Sequence, residues 1–290
     1  MKTLCRSCIE LCRIRIAFLS AFSAATGFML SPTELRSQII FLVPGVFLLA
    51  CGSSALNQYQ ERISDAVMPR TCGRPLPSCR MRPADALYFS LLLVFSGFLV
   101  LLLTGSLPAA LLGLSAVVWY NGVYTHLKKK TAFAVIPGAL VGAIPPAIGW
   151  IAAGGGMGDP RLLVICFFFF IWQVPHFWLL IMIYGPEYEK AGFPSLTGIF
   201  SERQLRRIIF VWMSATAVSC FFLSASGVVR CLYINITLLL LSSWLIWIGV
   251  KPMLLQSAEP VALSSFRKIN IYLLMVMLFL VVDKIFLPVQ

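Results

Sequence analysis

Apolar residues along this chain come in runs of about 20, separated by short polar stretches rich in Arg, Lys, Gly and Pro. A helix rises about 1.5 Å per residue, so a run of that length crosses about 30 Å of hydrocarbon. Runs bounded by turn residues and charges predict spans near 13–30, 37–56, 85–104, 108–125, 132–153, 162–184, 207–227, 231–250 and 269–287. Inside lipid the backbone must satisfy its own hydrogen bonds, which makes these segments helical. The expected fold is all-α, a polytopic membrane protein with nine transmembrane helices around a central lipid-accessible cavity. Residues 1–290 form a single domain in this reading, with no room for a separate soluble one. Pro44, Pro137, Pro145, Pro146 and Pro175 fall inside runs and imply kinks, which open cavities between helices. The first run has no small-x-small cleavage pattern before the next polar stretch and reads as a retained span.

Composition agrees with lipid as the solvent, because 59% of residues are hydrophobic and only 12% are charged. A formal charge of +12 would suit a nucleic-acid binder, but the Lys and Arg lie between apolar runs, where they orient a membrane protein. No nucleic acid is expected. Counting alternate sides puts 19 of the 23 basic residues on one face, leaving Arg36, Arg161, Arg230 and Lys284 on the other. By the positive-inside rule the N-terminus and the loops after spans 2, 4, 6 and 8 are cytoplasmic, with the C-terminus opposite. Among nine cysteines, Cys51, Cys166, Cys220 and Cys231 sit in or beside apolar runs and read as small buried side chains. Cys5, Cys8 and Cys12 cluster near the N-terminus, yet no matching Cys/His pair completes a zinc set.

Three clusters carry candidate chemistry. Asn57, Glu61 and Asp65 stand at i, i+4 and i+8, with Gln58 beside them, so a helical continuation of span 2 presents one polar face. Carboxylate and amide oxygens there suit Mg²⁺, and Arg70 and Arg74 just downstream suit phosphate. The bland reading is a solvated loop whose charges only set topology; against it, polar residues begin at Asn57 directly out of an apolar helix. The second cluster, Tyr124 to Thr131 with Lys128, Lys129 and Lys130, is by itself more typical of an anionic-lipid anchor than of a substrate site. The third places Gln173 and His176 deep in span 6, followed by Glu187 and Tyr188. Gln173 lies on the face of His176 and suits it as a partner, although a lone buried histidine is commonly hydrogen-bonded structure. A continuous helix would set His176 about 16 Å deeper than Glu187. The carboxylate-bearing loops after spans 2 and 6 also hint at an internal duplication.

These residues resemble the haem O synthases of the intramembrane aromatic prenyltransferase superfamily. Asp65 to Leu76 resembles that family's D-A-x-M-x-R-T-x-x-R-P-L, and Tyr124 to Trp150 resembles its Y-T-P-L-K-R-x-T…G-x-x-x-G-A-x-P-P-x-x-G-W. Trp172 to Phe177 and Tyr188 to Pro194 resemble its W-Q-x-P-H-F…D-Y-x-x-A-G-x-P. Four positions depart: Gln58 and Glu61 stand where superfamily members often carry Asp, His126 where Pro is usual, and Glu187 where an Asp precedes the Tyr.

The resemblance implies a bacterial inner-membrane enzyme that moves a farnesyl group from farnesyl diphosphate to a vinyl group of haem b, giving haem O and diphosphate. It implies Mg²⁺ on Asn57, Glu61, Asp65 and Glu187, with Arg70, Arg74 and Lys128 supporting the leaving diphosphate. It makes Tyr124, Gln173, His176, Glu187 and Tyr188 substrate contacts, with haem b a substrate rather than a cofactor. A haem A synthase or oxidase-assembly protein is the implied partner. The rivals are prenylation of a quinone precursor or chlorophyllide, a non-catalytic haem-handling protein, and a transporter.

Overall fold

The computed structural model describes residues 2–32, 37–254 and 258–286, with side chains for 5–32, 37–250 and 262–286. Arg36, one of the four basic residues assigned to the opposite face, lies outside the described residues, as does the side chain of Lys251. The chain runs through α1 (Lys2–Cys12), α2 (Ile14–Leu30), α3 (Ile39–Val67), α4 (Pro83–Leu102) and α5 (Leu107–Val118). A π-helical turn (Trp119–Tyr124) and α6 (Thr125–Leu127) follow, then a 3₁₀ turn (Ala132–Ala134), α7 (Val135–Gly138) and α8 (Leu140–Ala152). The remainder is α9 (Pro160–Lys190), a 3₁₀ turn (Leu196–Gly198), α10 (Glu202–Ala225), α11 (Leu232–Leu254) and α12 (Ala258–Phe286). No strand occurs among the described residues.

Among the described residues eight segments are long and apolar enough to cross a membrane, and the chain is a multi-pass membrane protein. The first expected span, α2, is shorter at 17 residues. Two helices outrun their expected ends: α3 continues to Val67 and α9 to Lys190. Both extensions carry polar residues with partners inside the protein, so the helix need not stop where the apolar run does. α1 was not anticipated. It is amphipathic, with Ser7 and Leu11 buried, and Arg13 at φ 45° breaks it from α2.

The structure comprises two compact units. One contains Met1–Ala134, Ile144–Gly155 and Glu187–Pro194. Here α3 and α4 pack backbone against backbone through glycines: a Cβ on Gly97 would stand 2.7 Å from Leu49 N and 2.9 Å from Gly45 O. Small residues permit such an approach where lipid offers no hydrophobic drive for helix association. α8 meets α2 similarly, because a Cβ on Gly149 would collide with the Ala24 carbonyl. A small core of Leu11, Ala55, Leu76, Met81 and Ala86 ties α1, α3 and α4 to the loop between Val67 and Pro83.

The other unit contains Val135–Ala143, Gly156–Pro186 and Ser195–Gln290. Pro175 lies inside α9 and cannot donate to the Ile171 carbonyl, which instead accepts from Thr216 Oγ1 of α10 at 3.5 Å. Trp172 Nε1 donates to Ile269 O of α12 at 3.0 Å. Ser201 and Gln204 close a capping box at the start of α10. The buried Asp283 carboxylate accepts the backbone N–H groups of Arg230 and Cys231, just ahead of α11.

Gly97→Ala should force α3 and α4 apart and cost about 1–3 kcal/mol. Thermal unfolding of the purified protein in one detergent reads it, and an unchanged midpoint would show that the close approach contributes nothing.

Candidate active site

The C-terminal half of α3 departs from the pattern of a lipid-facing helix. Ser53, Asn57, Gln58, Glu61 and Asp65 are all buried, and four of them recur every four residues. Their partners come chiefly from the chain around the π-helical turn. Ser53 Oγ donates to Asn121 Oδ1 at 2.7 Å, and Asn57 Nδ2 donates to Thr125 Oγ1 at 3.1 Å. Lys128 forms an ion pair with Glu61. The pairings 53–121, 57–125 and 61–128 advance together, so the two segments run parallel, as two spans crossing in the same direction must. Gln60 adds a reciprocal pair with Asn121, at 3.1 and 3.2 Å. Single π turns recur at functional sites because they swing side chains out of helical register.

Downstream, the loop after α3 folds back over the helix end. Arg74 Nη1 meets Asp65 Oδ2 at 2.7 Å, and Thr71 Oγ1 donates to the Asp65 carbonyl at 2.8 Å. Leu76 and Met81 are buried, so this is a packed segment and not a solvated, topology-setting loop. Glu187, at the end of α9, accepts from the Arg70 backbone N–H at 3.4 Å, bringing that one carboxylate of the third cluster to the loop of the first. Residues 187–194, after the sixth expected span, thus lie in the same unit as the loops after the second and fourth.

Charge and burial are tightly coupled here. The Asp65 and Arg74 side chains are 1% and 18% exposed, and those of Glu61 and Lys128 are 7% and 16% exposed. Burial works against the Lys128 charge, but the Glu61 carboxylate with the Tyr124 and Tyr120 hydroxyls outweighs it, and the pKa rises above the usual lysine value. Burial and the Arg13 guanidinium pull Arg74 below the usual arginine value, with Asp65 acting the other way. The Lys128 ammonium lies 5.4 Å from the Tyr124 ring centroid and 6.0 Å from that of Phe193. Phe193 in turn packs edge-on against Tyr188 at 5.7 Å. Sequence reasoning did not single out Phe193, Asn121 or Thr125; the N-G-x-Y-T stretch around the π turn offered no periodic signal.

Gln58 does not join the oxygen set. Its amide donates to the carbonyls of Leu11 at 2.9 Å and Glu10 at 3.4 Å, so it caps the end of α1. Glu10 is also held by Arg80 at 2.6 Å, whose guanidinium reaches the Gly73 carbonyl at 2.6 Å. Arg80 keeps the Glu10 carboxyl below the usual range. The residue standing where relatives often carry an Asp thus latches the N-terminal helix.

The other unit holds Gln173 and His176. His176 is stacked among Trp172 at 4.8 Å, Phe266 at 4.9 Å and Phe177 at 5.4 Å. Its side-chain partner is Asn270, not the expected Gln173, and its Nδ1 is buried without a partner. Gln173 lies against Gly142 so closely that a Cβ there would collide with the amide. The pairing differs because Asn270, on α12, is remote in sequence and invisible to a spacing argument.

Among the described residues no three His, Cys, Asp or Glu side chains form a ready-made metal cluster. The donor chemistry nevertheless fits a hard divalent cation. Asp65 Oδ1 is buried with no hydrogen-bond partner, one turn from Glu61 on a face that also carries the Asn57 amide.

The arrangement is that of a multi-pass helical membrane protein with buried carboxylates facing basic side chains. The chain belongs to the UbiA prenyltransferase family, whose profile matches residues 16–281. It is 40% identical over 222 residues to a protein from Geobacter sulfurreducens named Protoheme IX farnesyltransferase, covering 77% of this chain and 82% of that one. A protein of the same name from Nitratidesulfovibrio vulgaris is 35% identical over 280 residues, 97% of this chain and 96% of its own. In fold, it is similar to a digeranylgeranylglyceryl phosphate synthase structure, with a TM-score of 0.78 at 14% identity over 99% of this chain and 100% of that one. A UbiA homologue from Archaeoglobus fulgidus bound to GPP and Mg²⁺ gives 0.67 at 14% identity, over 96% of this chain and 99% of that one.

Gln58→Asp should set a carboxylate against the carbonyls of Glu10 and Leu11 and release α1, at a cost of about 1–3 kcal/mol. Hydrogen exchange over residues 2–12 should quicken while that of α4 holds; unchanged protection of α1 would rule out the clamp.

Proposed function

We infer that this chain transfers the farnesyl group of farnesyl diphosphate to a vinyl group of haem b, forming haem O and releasing diphosphate, with residues 1–290 acting as one catalytic domain. The observation that carries the reading is the buried face of α3, where Glu61 and Asp65 each confront a cation near the membrane edge. The family and the names of the relatives support the acceptor and donor.

An allylic diphosphate ionises when the charge developing on its leaving group is stabilised. In this mechanism Lys128 and Arg74 hold the diphosphate oxygens, with Arg70 at the exposed edge, and the planar guanidinium forks suit bidentate phosphate contacts. Mg²⁺, when bound on Glu61 and Asp65 with Asn57 and Glu187 in support, supplies Lewis-acid neutralisation of the same charge. Tyr124 and Phe193 flank Lys128, with Tyr188 packed on Phe193, an aromatic surface that keeps water from the allylic carbon and offers ring faces to positive charge. His176 and Gln173 serve the haem: an imidazole with an unpartnered Nδ1 among aromatic rings suits a porphyrin better than a diphosphate.

The site faces the cytoplasm of a bacterial inner membrane in this reading, because the loops that carry it hold most of the basic residues. The product passes to a haem A synthase or another oxidase-assembly partner.

The test is product mass. Purified protein in nanodiscs, given farnesyl diphosphate, Mg²⁺ and haem b, should yield haem O, and Asp65→Asn should lower the rate at least about 100-fold. Turnover of a quinone precursor or chlorophyllide with none of haem b would reassign the acceptor.

A further inference from the structure

We propose that Lys128 and Arg74 are internal counter-ions that hold Glu61 and Asp65 closed to a divalent cation until a diphosphate takes those cations over, so that metal and diphosphate bind only together. The inference rests on the reading of this face as a diphosphate site.

Glu61 and Asp65 lie one helical turn apart on α3, and each faces its own cation: Lys128 pairs with Glu61, and Arg74 stands 2.7 Å from Asp65. None of the four side chains is more than 18% exposed. A divalent cation arriving alone would have to push an ammonium and a guanidinium away from their carboxylates and leave both buried without a counter-charge. Breaking a buried pair in that way is strongly unfavourable. Lys128 has little freedom to escape, because the Tyr124 and Phe193 rings flank it.

A diphosphate alone meets the converse problem. It can draw Lys128 and Arg74 onto its oxygens, but it strands two carboxylates in a dry site. With both ligands present each buried charge faces an opposite one: the cations move to the diphosphate, and the freed carboxylates present hard oxygens to the metal, including Asp65 Oδ1, which already lacks a partner. Each ligand therefore raises the affinity for the other by the same factor, as linkage requires. The ion pairs thus act as a gate on the order of binding, in addition to holding the fold.

Two readouts that need neither haem nor a prenyl chain test this. The first is uptake of Mn²⁺ alone, followed by loss of the free-ion EPR signal. The second is the thermal midpoint with Mg²⁺, with inorganic pyrophosphate, and with both. Wild type should bind Mn²⁺ alone at least about tenfold more weakly than Lys128→Met, which exposes Glu61, and its midpoint should rise only with both ligands. Arg74→Met exposes Asp65 in the same way and serves if Lys128→Met fails to fold. Wild type binding Mn²⁺ as tightly as both variants, or a full midpoint shift from either ligand alone, would overturn the proposal. No shift even with both ligands would instead overturn the diphosphate reading of this face, whereas a failure to make haem O would leave the gate standing.

Discussion

The structure depends on one electrostatic constraint: an ionised carboxylate cannot stay buried near a membrane without a counter-charge or a hydrogen-bonded cage. α3 carries two such carboxylates, and much of the surrounding chain is arranged to meet their demand. The π-helical turn brings Lys128 to Glu61, and the packed loop after α3 brings Arg74 to Asp65. The glycine contacts that let α4 close on α3 hold the helix that presents them. On the proposed function, a site built to satisfy buried charge in the absence of substrate would also be prepared for the charge of a diphosphate.

The hydrogen-bond zipper along α3 has a second consequence. Ser53 and Asn57 already bond to Asn121 and Thr125, so the charged groups nearest Glu61 and Asp65 are Lys128 and Arg74, with Arg70 exposed in the loop beyond. On the proposed function, a polyanion would be recognised by Lys128 and Arg74 exchanging their carboxylate partners for its oxygens. The surroundings of His176 differ in kind: the groups there are aromatic rings and one amide, which on the proposed function would suit a flat macrocycle.

Helix type and the polar face at 57, 61 and 65 were readable because both rest on local spacing, period 3.6 against a long apolar background. Helix ends were less readable: α3 and α9 pass beyond their apolar runs because tertiary partners, absent from any window of sequence, satisfy the polar continuation. The same limit hid α1, whose short amphipathic pattern is held by Gln58 from about fifty residues away. Gln58 stood out as a departure from the family pattern, but its role depends on carbonyls that no motif encodes. Asn270 in place of Gln173 beside His176 is a further case, since nearness along a helix favoured a partner that packing sent toward Gly142.

The central claim is that the paired charges are catalytic as well as structural, and exchanging one pair tests it most directly. In Glu61→Lys with Lys128→Glu, the buried pair is kept with its polarity reversed. The account predicts a folded protein whose thermal midpoint falls by less than that of either single variant, with haem O formation lost because the carboxylate no longer shares a face with Asp65. Full activity in the exchanged protein would contradict the account, for it would mean that the pair only neutralises buried charge.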